Sequence, residues 1–395
     1  MAPTGSAARR DSFGRLVGLL LPALLLLPEL AAAGELAVNA EQRRIRFPDV
    51  GPAPTLVCDL HTHTVFSDGK VWPDVRVQEA ERDGLDCIAI TDHLEYLPHR
   101  GDLQPRDRNR SFAVADQAAA GSDLIVINGC EITREMPLGH ANAIFLQDAN
   151  LLLEADPQAV FQEAKRQGAF ITWNHPYWLV QTKDGIARVD PLHDEMLSSG
   201  LFNGIEVASQ VGYSDEALQI ALDHDLAIIA TSDAHSLVDW DFDVPAGGHR
   251  PVTLVFAAEH SQQALEDALF AGRTVAWIGN TLIGREAQLL PLIQASLIVG
   301  DARYLGDTSV LRVRLENGSD AEWVLRNESA FRFYNASDLV VVPANSSFDL
   351  EVTTGELRPR IDLRFEVMNA VIAPSTHPSL TLPVDTGAAV GVTRD

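Results

Sequence analysis

From residue 55 to residue 257, short continuous apolar runs recur along the chain, and this rhythm constrains the fold more than any other property. The runs are "TLVCDL", "LDCIAIT", "DLIVINGCEI", "ANAIFL", "GAFITWN", "NGIEVAS", "LAIIATS" and "PVTLVFA". Amphipathic stretches lie between several of them. In "PDVRVQEAERDG", Pro73 stands where a first helical turn would begin and Gly84 where it would close. "LLLEADPQAVFQEAKRQG", "SDEALQIALDHD" and "SQQALEDALFAG" carry the same helical pattern. Alternating strands and helices imply a parallel sheet, and strands without polar interruptions imply burial on both faces. Polar residues gather just after the runs, at the ends where barrel active sites are built. A closed α/β barrel therefore fits better than a doubly wound sheet.

Near residue 285 the pattern changes. "SVLRVRLENGSDAEWVLRN", "LVVVPANSSFDLEV" and "RIDLRFEVMNAVI" alternate apolar and polar residues, with Asn317-Gly318 as a hairpin signal. These stretches predict a small antiparallel β-sandwich over residues 286–385, after a barrel over 55–285 and before a loose tail at 386–395. At the other end, Arg9, Arg10 and Arg15 precede the apolar "LVGLLLPALLLL" and the small residues Ala31-Ala32-Ala33. That order reads as an export signal over residues 1–33, cut near Ala33 and followed by a linker at 34–54. The apolar stretch is shorter than the roughly 20 residues a bilayer span needs, so no membrane anchor is expected after cleavage. A periplasmic or secreted location follows. Cys58, Cys87 and Cys130 all lie in apolar runs and form no C-x-x-C pair, so they read as buried free thiols. A formal charge of −25 argues against holding a polyanion by overall field, and no stable nucleic-acid complex is expected. A local cleft is different, because bound cations can reverse the sign there.

The ends of the apolar runs carry a recurring kind of residue. His61, His63 and Asp68 follow the first run, and Asp92-His93 the second. Glu131 follows the third, His140 opens the fourth, His175 sits in "WNHP", and Asp233 and His235 sit in "TSDAHS". Residues i and i+2 of a strand face the same side, so His61 with His63, and Asp233 with His235, can enter one cavity. Adjacent Asp92 and His93 point oppositely, so only one of them should reach it. A single histidine at such a place is ordinarily a hydrogen-bonded core or surface residue. Six of the chain's twelve histidines at successive strand ends, with three acids, form a metal-binding set. Mixed imidazole and carboxylate donors suit Zn²⁺, Mn²⁺ or Fe²⁺. The set of nine exceeds what one ion uses, so two or three divalent ions are implied.

H-x-H, S-D-G, T-D-H, a glutamate after the third strand, N-H-P and S-D-A-H together resemble the PHP (polymerase and histidinol phosphatase) family, from about residue 55 to 280. "TDHLEYLPH", "QPRDRNRS" and the signal-plus-C-terminal-domain layout are similar to the exported bacterial phosphodiesterases of the Sb-PDE type. The resemblance implies a distorted (β/α)7 barrel and hydrolysis of a phosphate ester, most simply a small phosphodiester, by a metal-bridged hydroxide. It also implies a division of ligands. His61, His63, Glu131 and Asp233 would hold one ion. Glu131 would bridge to a second held by His140 and His175, and Asp68, His93 and His235 would hold a third. Asp68 stands where some members carry histidine. Alternatives within the family are a phosphomonoesterase or nucleotide phosphatase and a 5′-3′ exonuclease.

Outside this set, Arg134 and Lys70 are candidate contacts for phosphate oxygens, against the plainer reading of solvated surface charges. Glu95 or His99 is a weaker candidate general acid. Asp92 and Glu206 are expected to orient ligands. His193, His224, His260 and His377 read as surface residues, and the β-sandwich as a structural cap. An amidohydrolase-type barrel also begins with H-x-H, but its binuclear members often bridge their metals with a modified lysine. Lys165 lies in a helical pattern, and Lys70 and Lys183 lie in loops.

Overall fold

The computed structural model describes residues 44–103 and 106–387. The expected export signal over residues 1–33 therefore lies outside the described residues, as does nearly all of the expected tail. Among the described residues no helix is long and apolar enough to cross a membrane.

The first strand, β1 (Thr55–Thr62), is buried at every position. It is followed by α1 (Pro73–Asp83), β2 (Cys87–Ile90), α2 (Arg110–Ala118), β3 (Ile125–Thr133), β4 (His140–Ile144), α3 (Pro157–Arg166) and β5 (Phe170–Trp173). Then come α4 (Pro191–Ser198), β6 (Gly204–Ser209), β7 (Gly212–Tyr213), α5 (Asp215–Asp223), β8 (Ala227–Ala230) and α6 (Val238–Asp241). β9 (Val252–Phe256), α7 (Gln262–Phe270), β10 (Thr274–Ile278), β11 (Thr281–Gly284) and α8 (Glu286–Ser296) complete the first part. Helix starts follow local chemistry. Pro73 opens α1, and the side chains of Asp156, Asp190, Ser214 and Ser261 accept backbone N–H groups at the starts of α3, α4, α5 and α7. Gly84 closes α1 in the left-handed region at φ 72°, a conformation glycine adopts without Cβ strain.

β1, β2 and β3 pair in parallel, as do β5, β6 and β8. β4 breaks the expected parallel order by running antiparallel to both β3 and β5. The reason is length: residues 134–139 alone join β3 to β4, and a parallel crossover needs about a dozen or more. The sheet curls back on itself at the rim. Asp233 N donates to His61 O at 3.0 Å and His63 N to Ala234 O at 3.1 Å, so the turn after β8 lies against the end of β1. β9 pairs antiparallel with the beginning of β1, below that contact. The result is a distorted α/β barrel, its sheet extended by β9, β10 and β11. The three cysteines are buried free thiols.

α8 occupies residues 286–296 with Pro291 inside it and buries Leu289, Leu292 and Ile293. Antiparallel strands begin at Leu297 with β12 (Leu297–Tyr304), β13 (Val310–Asn317), β14 (Trp323–Asn327), β15 (Arg332–Phe333) and β16 (Leu339–Val342). β17 (Ser347–Thr353), β18 (Arg360–Val367), β19 (Ala370–Val371) and β20 (Ser379–Asp385) follow. They form two four-stranded sheets, β12-β13-β17-β15 and β16-β14-β18-β20. Alternation sets their faces: Ile361, Leu363, Phe365 and Val367 point inward from β18. β19 leaves the sandwich and pairs with β11 of the barrel. One apolar core joins Leu289 and Leu292 of α8 to Trp323 and Leu363 of the sandwich.

Candidate metal centre

The strand ends on the barrel rim bring all nine sequence-predicted donors together. They fall into overlapping groups whose donor atoms lie within 4.8 Å of one another: His61, His63 and Asp233; Glu131, His140 and His175; and His63, Asp68, His93 and His235. His63 belongs to two of them. A fourth group, His61, His175 and Glu206, contains an acid outside the nine.

Hydrogen bonds fix which nitrogen faces inward in four of the six rings. A carboxylate only accepts, so His61 Nδ1 donates to Glu206 Oε1 at 2.8 Å. Ser67 Oγ donates to Asp92 Oδ1 at 2.7 Å and therefore accepts from His63 Nδ1 at 3.3 Å. Thr133 Oγ1 donates to the Glu131 carbonyl and accepts from His93 Nδ1 at 2.6 Å. His235 Nδ1 donates to the Asp233 carbonyl at 2.8 Å. In each neutral ring the proton then sits on Nδ1, and Nε2 presents a lone pair to the pocket.

Those lone pairs meet each other and meet carboxylates. The Nε2 atoms of His61 and His63 are 2.9 Å apart, and Asp233 Oδ1 lies 3.3 and 3.1 Å from them. Asp68 Oδ1 lies 3.4 Å from His93 Nε2 and 3.2 Å from His235 Nε2. At Glu131 the contact differs: His140 Nδ1 donates to Oε1 at 3.0 Å, and His175 Nε2 lies 3.5 Å from the same oxygen. Asp68 Oδ1, Glu131 Oε2 and Asp233 Oδ1 are buried without a hydrogen-bond donor of acceptable geometry. Converging bare acceptors repel one another unless positive charge lies among them. The three acids draw it in. Against the cost of burial, Glu131 and Asp68 push His93 up to about 10, and Asp233 and Glu206 push His61 up. His63 goes the other way, to about 4, because it is buried and flanked by His235 and His93. Burial opposes the charge on Glu131, yet His93, His61 and His140 hold its carboxyl well below the ordinary range. Protons or cations can supply the charge, and the four rings whose inward Nε2 is bare suit cations.

A second layer sets this geometry. Glu206, fully buried, also accepts from Thr231 Oγ1 at 2.7 Å and from the His175 N–H at 2.8 Å, so both oxygens orient the histidine segments. Asp92 points away from the donors and accepts from Thr64 N, Thr64 Oγ1 and Ser67 Oγ, each at 2.7 Å. It thereby shapes the turn that carries Asp68. In that turn a Cβ on Gly69 would stand 2.7 Å from the His63 carbonyl carbon and the Thr64 nitrogen, so only glycine lets the chain fold this tightly. His175 and Asp233 have positive φ, 27° and 49°, strained backbone of the sort found at functional sites.

Several supporting residues carry no sequence signal. Arg76, buried on α1, donates from Nε to the His63 carbonyl at 2.9 Å and from Nη2 to the Ala234 carbonyl at 2.8 Å. It ties the two rim segments together, but in the sequence it is one more helical arginine. Asn174 donates to Glu131 Oε1 at 3.0 Å, and its place beside His175 in "WNHP" was the available hint. Arg134 is occupied elsewhere: Nε lies 2.7 Å from Glu95 Oε1, and Nη2 and Nη1 reach the carbonyls of Glu154 and Ala155. Lys70 stands exposed at the rim beside His235, its Nζ donating to Ser236 Oγ at 2.9 Å. Glu95, its carboxyl raised by burial, is partnered by Arg134 and the Thr133 N–H, and His99 is exposed. His193 is not a surface residue: it is fully buried, stacked 4.0 Å from the Trp173 ring, with Nε2 donating to the Leu138 carbonyl. Its site on the inner face of α4 prevailed over histidine's usual exposure. Lys165 lies on α3 and donates to the carbonyls of Ser199 and Gly200, apart from the donor groups.

Beside the donors a cleft of about 510 Å³ opens, lined by Glu95, Tyr96, Arg134, Met136, His140 and Trp178 among others. His140 belongs both to the cleft wall and to a donor group.

The chain is similar to known proteins in both of its parts. A family model described as a PHP domain matches residues 59–197, and one described as an Ig-like domain matches residues 297–383. A solved two-domain protein from Bacteroides vulgatus, containing a predicted PHP-like metal-dependent phosphoesterase, is 38% identical with a TM-score of 0.81. The match covers 86% of this chain and 98% of that one. An uncharacterised protein of Methanocaldococcus jannaschii is 35% identical over 79 residues, 20% of this chain. The match spans 34% of that protein's length.

Proposed function

Because the chain belongs to the PHP family of metal-dependent phosphoesterases, we propose that it hydrolyses a small phosphodiester, using two or three divalent ions (Zn²⁺, Mn²⁺ or Fe²⁺). The observation that carries the reading is the convergence of bare imidazole nitrogens and donor-free carboxylate oxygens in one pocket. His61, His63 and Asp233 would hold one ion, and Glu131, His140 and His175 a second. Asp68, His93 and His235 would hold a third, with His63 beside it. Bound there, such ions lower the pKa of water from about 15.7 towards about 7 and polarise a phosphoryl oxygen.

The protein's own residues do the rest. Glu206 and Asp92 hold the ligand segments, and Arg76 locks β1 against the turn after β8, so little reorganisation accompanies reaction. Lys70, exposed on the rim beside His235, would turn from Ser236 to meet an anionic oxygen. The adjoining cleft favours a diester over a dianionic monoester or a polyphosphate. Its arginine, Arg134, is neutralised by Glu95, and Glu135 adds a further acid to the wall. A group entering it is better uncharged.

The test uses protein carrying added Mn²⁺ or Zn²⁺ and compares kcat/KM on an aryl phosphodiester with that on the matching aryl phosphomonoester. The diester is expected to be the faster substrate. A substantially faster monoester would overturn the diesterase reading. We further propose that residues 1–33 direct export and are removed. N-terminal sequencing of the exported protein should then begin near Gly34, and an intact Met1 end would refute it.

A further inference from the structure

The cleft beside the metal donors has an unusual wall for the surface of an acidic protein. Tyr96 is 53% exposed, Met136 39% and Val180 73%, and all three line the cleft with half-buried Trp178. Two of these rings abut the donor histidines. The Tyr96 ring centroid lies 5.6 Å from that of His93 in an edge contact. The Trp178 centroid lies 5.7 Å from His140 and 5.3 Å from His175. A contiguous exposed apolar surface on a soluble domain marks a place where something binds. Here it shares His140 with a donor group, so a group filling it would lie beside what the donors hold. Of the charged lining groups, Glu95 and Arg134 are paired at 2.7 Å and Glu135 is a further acid, so the wall offers no unpaired cation for a second anion.

We propose that this cleft is a specificity subsite for a planar aromatic group on the ester's alcohol, held between Tyr96 and Trp178 while the phosphoryl group lies against the donors. The inference deepens the phosphoester reading and rests on it for the position of the phosphoryl group. Aromatic rings offer offset or edge-on surfaces to a flat ligand, and Met136 and Val180 cover its rim. Small alkyl alcohols would leave the cleft wet and gain nothing from it.

Ground-state binding tests this without the bias that aryl leaving groups introduce into rates. Phenylphosphonate and methylphosphonate are titrated calorimetrically into the Mn²⁺-loaded full chain. The wild type is expected to bind phenylphosphonate about tenfold more tightly or better, as burial of one ring allows. In Tyr96→Ala/Trp178→Ala the advantage should shrink to about twofold or less, with methylphosphonate affinity retained. Should that double variant lose methylphosphonate as well, Val180→Asp, at the exposed outer wall, carries the test. It must cut the phenyl advantage by about threefold or more. Equal affinities in the wild type, no binding of either phosphonate, or an advantage that survives these substitutions would each overturn the subsite. A phenyl preference in a protein that turns over no phosphate ester would sink the phosphoester reading and leave the subsite standing.

Discussion

Two buried charge clusters sit a few residues apart in this barrel, and they differ in one respect. Beneath the rim, Arg250 donates to Asp59 at 3.1 Å and to Asp83 at 2.6 Å, while Arg76 donates to Glu79 at 2.7 Å. Asp59 Oδ1 accepts the Ser232 N–H and Glu79 Oε1 the Val238 N–H. None of these five side chains has a buried polar atom without a partner. In the rim cluster, Asp68, Glu131 and Asp233 each have one. Both clusters are costly to bury, but only the lower one is complete in itself. The lesson is that burial of charge does not by itself mark function. Missing donors, aimed at a common point, do.

The comparison breaks most violently at Arg250. Arg250→Met removes the guanidinium that Asp59 and Asp83 share and should lower stability by about 3–5 kcal/mol in denaturant unfolding. A loss below about 1 kcal/mol would mean the lower cluster is not the closed unit its distances describe. Next in size is the response to metal. Free Mn²⁺ or Zn²⁺ at a hundred times its Kd should raise unfolding free energy by about 2.7 kcal/mol, and chelation should reverse this. The same addition to His61→Ala/His235→Ala should do much less, and an equal gain there would place the ions elsewhere. Arg76 joins the clusters, so Arg76→Met should weaken metal binding about 10- to 100-fold in titrations on folded protein. Unchanged affinity would show that the tie to the His63 and Ala234 carbonyls is structural only. The smallest effect is expected at Glu206→Gln, whose amide oxygen can still accept from His61 Nδ1. About tenfold weaker metal binding is predicted, and a loss as complete as for a missing histidine would make Glu206 a ligand itself.

Much of this was legible because the signals are local. Continuous apolar runs mark buried strands, and a donor at position i or i+2 of a strand end has its direction set by the pleat, as His61 and His63 show. What was hidden depends on partners distant in sequence. The antiparallel β4 is an exception: it follows from the short connection 134–139, not from its own residues, which read like those of its parallel neighbours. Residues 286–296 carry Pro291, and only packing against both the barrel sheet and the sandwich makes α8 favourable there. Arg134 follows Glu131 at a spacing that invites a substrate contact, yet Glu95 and two carbonyls claim it. His193 and Arg76 look like solvent-facing helical residues until Trp173 and the rim carbonyls are placed against them.

The claim on which the rest depends is that the rim donors hold more than one cation together, with His63 shared between groups. Elemental analysis of gel-filtered wild type and His63→Ala, both loaded with the same metal, tests it most directly. The account predicts more than one equivalent per chain in the wild type and a loss of at least one in the variant. Equal metal content in the two proteins, or none in either, would contradict it.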